Sequence, residues 1–124
     1  VKKQRPVNLD LTTISMPATA TASILHRVSG VALFFALIFV IAVWAISLQS
    51  AESFELAKSL MQGVIGKVIA IGTLAALSYH TILGLRHLVM DMGYWEELDS
   101  GNLSAKLSIA IWFVTVILAG VWIW

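Results

Sequence analysis

Histidine is costly to place in hydrocarbon, yet all three histidines of this chain, His26, His80 and His87, stand inside or at the mouth of apolar runs. His80 is the deepest. It lies 6 residues before Arg86 and 13 after Lys67, the nearest charges on either side, which is about 9 Å and about 20 Å at ~1.5 Å of helical rise per residue. A neutral imidazole at that depth either hydrogen-bonds a neighbouring helix or serves as an axial ligand to haem iron, for which it is the usual donor. On a helical wheel Gly66, Ala70, Thr73, Leu77, His80, Gly84, His87 and Asp91 share one sector of about 100°. Gly84, one turn past His80, would admit the edge of a flat macrocycle or the close approach of another helix. The residues alone leave both readings open.

A second set stands near the start of the chain. Ser23, His26 and Arg27 are spaced i, i+3 and i+4, so they share a face of a helix. Consecutive spans run antiparallel, which brings this set to the same membrane face as Arg86, His87 and Asp91. An arginine there snorkels to lipid headgroups, or it joins the imidazoles in donating to an acceptor ligand. Haem propionates and the carbonyl oxygen of a quinone are acceptors of that kind.

The elements that must carry these residues are set by composition. The chain is 59% hydrophobic and 12% charged, and its charges fall between apolar blocks. Val28 to Ala51 gives 24 residues without a formal charge, Val68 to Leu85 gives 18, and Leu107 to Trp124 another 18. About 20 apolar residues cross a hydrocarbon core as a helix, and three such runs cannot close a β-barrel. The expected fold is all-α: an amino-terminal arm over 1–22, then a three-helix membrane anchor over 23–124 with spans near 28–49, 64–88 and 105–124. Between the first two spans, Phe54, Leu56, Ala57, Leu60 and Met61 gather opposite Glu52, Glu55 and Lys58. That pattern suits a short interfacial helix. The closing VWIW suits an aromatic belt.

Lys2, Lys3, Arg5, Arg27, Arg86 and Lys106 fall on one side of such a layout, against Lys58 and Lys67 on the other. The positive-inside rule then puts the amino terminus in the cytoplasm and the carboxyl terminus in the periplasm. No cleavable signal is evident in Val1 to Leu25, and a first residue of Val suggests that the natural chain starts earlier. The absence of cysteine excludes disulfides and thiolate-held clusters within the chain. No basic patch suits nucleic acid, and no dinucleotide fingerprint is present.

The segments SILHRVSG, Ser23 to Gly30, and HTILGLRHLVMD, His80 to Asp91, carry a resemblance. Paired at this interval, with an RPVNLDL entry at Arg5 to Leu11 and three spans, they resemble the cytochrome b membrane-anchor subunits of succinate dehydrogenase, respiratory complex II. Many relatives carry an SPH-type segment after the first Arg-Pro, whereas Val7 to Leu11 reads VNLDL here, as in the enterobacterial-type branch. That departure bears on the arm rather than on the histidine motifs.

The resemblance implies a role for each matching residue. His80 matches the axial ligand of one haem b, shared with a second hydrophobic anchor subunit that supplies the opposite ligand. A further deep imidazole is absent from this chain, which points to the same partner. Ser23 and Arg27 match residues lining a ubiquinone pocket, and His26 with Arg27 the polar edge facing haem propionates. Asp91 and Glu97 resemble an acidic proton route, with Gly84, Arg86 and His87 in support. The chain would be a non-catalytic electron-transfer anchor in a bacterial inner membrane, receiving electrons from succinate through flavoprotein and iron-sulfur subunits. Two alternatives stand beside it: the anchor of a fumarate reductase, and a structural or transport helper without haem.

Overall fold

Long uncharged runs leave the backbone one way to satisfy its amides in lipid, which is to bond them within each segment. The computed structural model describes residues 6–124, so Lys2, Lys3 and Arg5 lie outside the described residues. Among those described the architecture is all-helical: α1 (Ala18–Ser47), α2 (Ala51–Gln62), α3 (Val64–Asp91) and α4 (Leu98–Ile123). Three of these, α1, α3 and α4, are long and apolar enough to cross a membrane. With 30 residues, α1 is about 45 Å long against a hydrocarbon core of about 30 Å. The helices therefore overrun the apolar spans, and α1 is already helical at Ala18, inside the stretch assigned to the arm.

The expected short helix between the first two spans is α2. Ser50 and Ser53 form a reciprocal cap at its start, each accepting the other's backbone N–H. It turns Ala57 inward and leaves Phe54, Leu56 and Leu60 uncovered. The turn into α3 is tight. A Cβ on Gly66 would run into the Leu60 carbonyl and stand 2.6 Å from Met61 Cα, so this glycine is what lets α2 fold back against α3.

At its other end α3 stops in a Schellman motif. The Gly93 N–H donates to Met90 O at 2.9 Å and the Tyr94 N–H to Val89 O at 3.4 Å, with Gly93 at φ 87°. Ahead of α1, the Asp10 carboxylate accepts from the Thr12 amide at 3.0 Å and hydroxyl at 2.7 Å. These bonds hold its carboxyl below the ordinary value.

Few side chains are buried, because lipid or a partner must cover the rest. The core is Ala22, Tyr79, Leu83 and Ala105, one small residue each from α1 and α4 against two larger ones from α3. Small residues let helices approach, and polar groups then lock them. The Tyr79 hydroxyl donates to Ala22 O at 3.2 Å, and Trp112 Nε1 donates to Ala75 O at 2.8 Å. The Thr19 amide, an orphan of the first turn of α1, donates to Asn102 Oδ1 of α4 at 3.1 Å.

Arg86 binds all three long helices at once. It is 3% exposed, and its Nε donates to Ser104 Oγ at 3.0 Å while Nη2 donates to Thr19 Oγ1 and Gly101 O, both at 2.9 Å. In the second half of α3 the buried residues are accordingly Tyr79, Leu83 and Arg86, adjacent to the histidine sector rather than identical with it, while Gly66 of that sector is buried at the other end of the helix, against α2. Hydrogen bonds from a charged donor are worth roughly 1.5 to 3 kcal/mol each, so Arg86→Ala should destabilise the detergent-solubilised protein by roughly 3 kcal/mol or more. A thermal melt of the variant checks this; an unchanged midpoint would show that small-residue packing alone holds the helices.

Candidate functional site

The antiparallel pairing of α1 and α3 sets the two sequence motifs against each other. His80 Nδ1 lies 3.1 Å from the carbonyl oxygen of His26 and 3.1 Å from Ser29 Oγ. The Ser29 hydroxyl donates its own proton to that same carbonyl at 2.7 Å. Nδ1 thus faces a carbonyl that can only accept and a hydroxyl whose proton is already committed, so it carries the proton and donates. With the proton of a neutral imidazole on Nδ1, the lone pair lies on Nε2, the nitrogen that could bind a metal.

Space for the ring comes from Gly30, where a Cβ would stand 3.2 Å from His80 Cε1. His26 stacks on His80 with ring centroids 4.0 Å apart and planes 14° from parallel, and His87 meets His26 edge-on at 4.9 Å. Gly84 clears room for the His26 ring, since a Cβ there would lie 3.3 Å from His26 Nε2. That nitrogen is buried and has no hydrogen-bond partner among the described residues. His26, His80, Gly84, His87, Thr81, Leu85 and Leu88 line an open cleft of about 460 Å³ on this side of the helix pair.

The remaining expected residues divide. Ser23 is half-buried and Arg27 exposed, at the same end of α1 as His26. Asp91 is exposed at the last position of α3, and Glu97 is exposed at the cap of α4. Arg86 does not join the imidazoles. One residue before His87, it points about 100° away around the helix into the junction with Thr19, Gly101 and Ser104, where it clamps the three long helices.

Sequence reasoning passed over Ser29 and Gly30, although both lie within SILHRVSG. Ser29 follows His26 at i+3, a spacing that shares its face, and that signal was available. Among the described residues no group of three or more His, Asp or Glu side chains is arranged to hold a bare metal ion. A haem brings four nitrogens of its own, so one free imidazole nitrogen on this chain, His80 Nε2, would be enough for this chain's share in holding it.

The family model for the succinate dehydrogenase/fumarate reductase transmembrane subunit matches residues 1–119. The succinate dehydrogenase cytochrome b556 subunit of Coxiella burnetii is 40% identical over 122 residues, 98% of each chain. Its counterpart in Paracoccus denitrificans is 31% identical over 106 residues, covering 86% of this chain and 82% of that one. The succinate dehydrogenase cytochrome b560 subunit of Reclinomonas americana is 32% identical over 120 residues, with 93% and 83% covered. A likeness that runs along both histidine motifs and all three long helices places the chain in the succinate dehydrogenase/fumarate reductase transmembrane subunit family, among the cytochrome b membrane anchors of succinate dehydrogenase.

Proposed function

We propose that His80 is an axial ligand of a haem b shared with a second hydrophobic subunit, and that Ser23 and Arg27 hold ubiquinone beside it. The observation that carries this reading is the state of the His80 ring: Nδ1 is committed to two acceptors on α1, and Nε2 is left as a lone pair on a ring that lines an open cleft. The names of the similar proteins, cytochromes b556 and b560, support a haem. The buried His26 Nε2, which has no hydrogen-bond partner among the described residues, is consistent with a propionate there if it is that nitrogen which carries the proton. The opposite ligand comes from outside the chain. His26 stacks on His80 and His87 meets His26 edge-on, so both are taken up in the cluster around His80, and a second imidazole for the haem would have to come from a partner subunit.

Bound at this place, haem would supply one-electron redox chemistry within the membrane. The chain's own residues do the rest by binding and orientation. Arg27 is exposed beside His26, where its guanidinium can donate to a quinone carbonyl while keeping contact with headgroups. Ser23, one turn earlier, adds a neutral donor. Asp91 and Glu97 are exposed carboxylates at the same end and can relay the protons that quinone reduction consumes. Catalysis of succinate oxidation belongs to the flavoprotein and iron-sulfur partners, which dock on this face. The family description covers fumarate reductases as well, and the succinate dehydrogenase relatives favour the succinate-oxidising assembly.

This end faces the cytoplasm of a bacterial inner membrane, from the excess of Lys and Arg. A reporter fused after Trp124 is then active in the periplasm, and activity only in the cytoplasm would reverse the orientation. Two replacements in the whole complex separate the proposed roles. His80→Leu should still insert but lose the low-spin haem b band in a reduced-minus-oxidised spectrum. Arg27→Leu should keep the band and reduce a soluble dye normally, yet slow quinone reduction about ten- to a hundredfold, the worth of one charged hydrogen bond. An unaltered band in the first variant, or proportional loss of both activities in the second, would remove the corresponding role.

A further inference from the structure

We propose that Ser29 is a positioning residue for the metal-binding imidazole: its hydroxyl locks the tautomer and orientation of His80, and so sets the electron-donating strength of Nε2. This rests on the reading of His80 as a haem ligand and extends it to a residue that meets no ligand itself.

The argument is one of counting protons. Ser29 is 7% exposed, so water does not readily stand in for its partners. It has one proton, and the His26 carbonyl at 2.7 Å takes it. Its oxygen then presents only lone pairs to His80 Nδ1 at 3.1 Å. The reverse arrangement, with Ser29 donating to an unprotonated Nδ1, would aim the Nδ1 lone pair at the carbonyl oxygen of His26, also at 3.1 Å, which is repulsive. Hydroxyl and carbonyl together therefore admit a single tautomer. The next residue supplies the room, since any Cβ at Gly30 would crowd His80 Cε1 at 3.2 Å and Nδ1 at 3.6 Å. Bond and clearance thus come from consecutive residues of α1.

The consequence is electronic. An imidazole whose N–H is held by acceptors is a more basic ligand, and a more basic ligand favours the oxidised, more positive metal. Ser29→Ala removes one of two acceptors and one rotational stop with little change in volume. Its haem should therefore show a higher midpoint potential than wild type. It should also be lost about tenfold faster to a haem-scavenging apoprotein, the lower end of what loss of an outer-shell partner costs in metal sites.

The test is a redox titration and a haem-transfer assay on the purified complex, with Ser29→Ala, Ser29→Thr and His80→Leu side by side. The expected result is a raised potential and faster loss in Ser29→Ala, with Ser29→Thr close to wild type because it keeps the hydroxyl. Unchanged potential and loss rate in Ser29→Ala, or equal shifts in the alanine and threonine variants, would overturn the inference while leaving His80 as ligand. A His80→Leu complex that keeps its low-spin haem would instead overturn the reading beneath it.

Discussion

The bond from His80 Nδ1 to the His26 carbonyl is the contact around which this end of the bundle is organised. In lipid there is no hydrophobic force to press two helices together, so association relies on close packing and a few interhelical hydrogen bonds of roughly 0.6 to 2 kcal/mol each. The bond needs a ring brought close to the α1 backbone, which Gly30 permits. It also needs the proton on Nδ1, which the carbonyl demands and the Ser29 hydroxyl, its own proton spent on that carbonyl, supports as a second acceptor. The same contact seats His26 over His80 and leaves an open cleft on the outer side. One nitrogen of the imidazole thus holds the fold together while the other stays available.

Around the circumference of α3 the residues packed into the three-helix junction and those lining the cleft occupy neighbouring sectors, and His80 belongs to the second while its Nδ1 ties α3 to α1. Tyr79, Leu83 and Arg86 look into the junction with α1 and α4. His80, Gly84 and His87 look toward the cleft. Residues adjacent in sequence stand about 100° apart on a helix, so Arg86 and His87 serve different neighbours despite being next to each other. The Arg86 guanidinium is costly to bury and is met only by neutral oxygens. Its bonds fix the start of α4 and the start of α1 against α3, which in turn fixes the height at which Ser29 and His26 meet His80.

The all-helical class, the three spans and the short α2 were legible in the sequence because each depends on local composition: uncharged runs long enough for the hydrocarbon core, and an amphipathic stretch between serine and glycine. The approach of His26 to the end of α3 was legible too, since antiparallel spans must bring those ends together. What the pattern could not give was the rotation of each helix about its axis. A wheel places Arg86 near His87 on the same turn, but only packing against Gly101, Ser104 and Thr19 decides that it turns inward. A stripe of Tyr79, Leu83 and Arg86 on α3, with small residues at Ala22 on α1 and at Gly101, Ser104 and Ala105 on α4, did foreshadow that junction. Ser29 and Gly30 were overlooked because neither is titratable, although their chemistry is that of an acceptor and a gap.

The most direct test of the arrangement is whether the proposed haem iron is bound by a histidine nitrogen, and by which one. Pulsed electron paramagnetic resonance on the oxidised complex, prepared once with histidine labelled only at Nε2 and once only at Nδ1, separates a directly bound nitrogen from a remote one. The tautomer held by Ser29 and the His26 carbonyl predicts a strong coupling from the Nε2 label and only a weak one from Nδ1. A strong coupling from the Nδ1 label, in wild type and lost in His80→Leu, would contradict the bonded geometry on which the fold of this end depends.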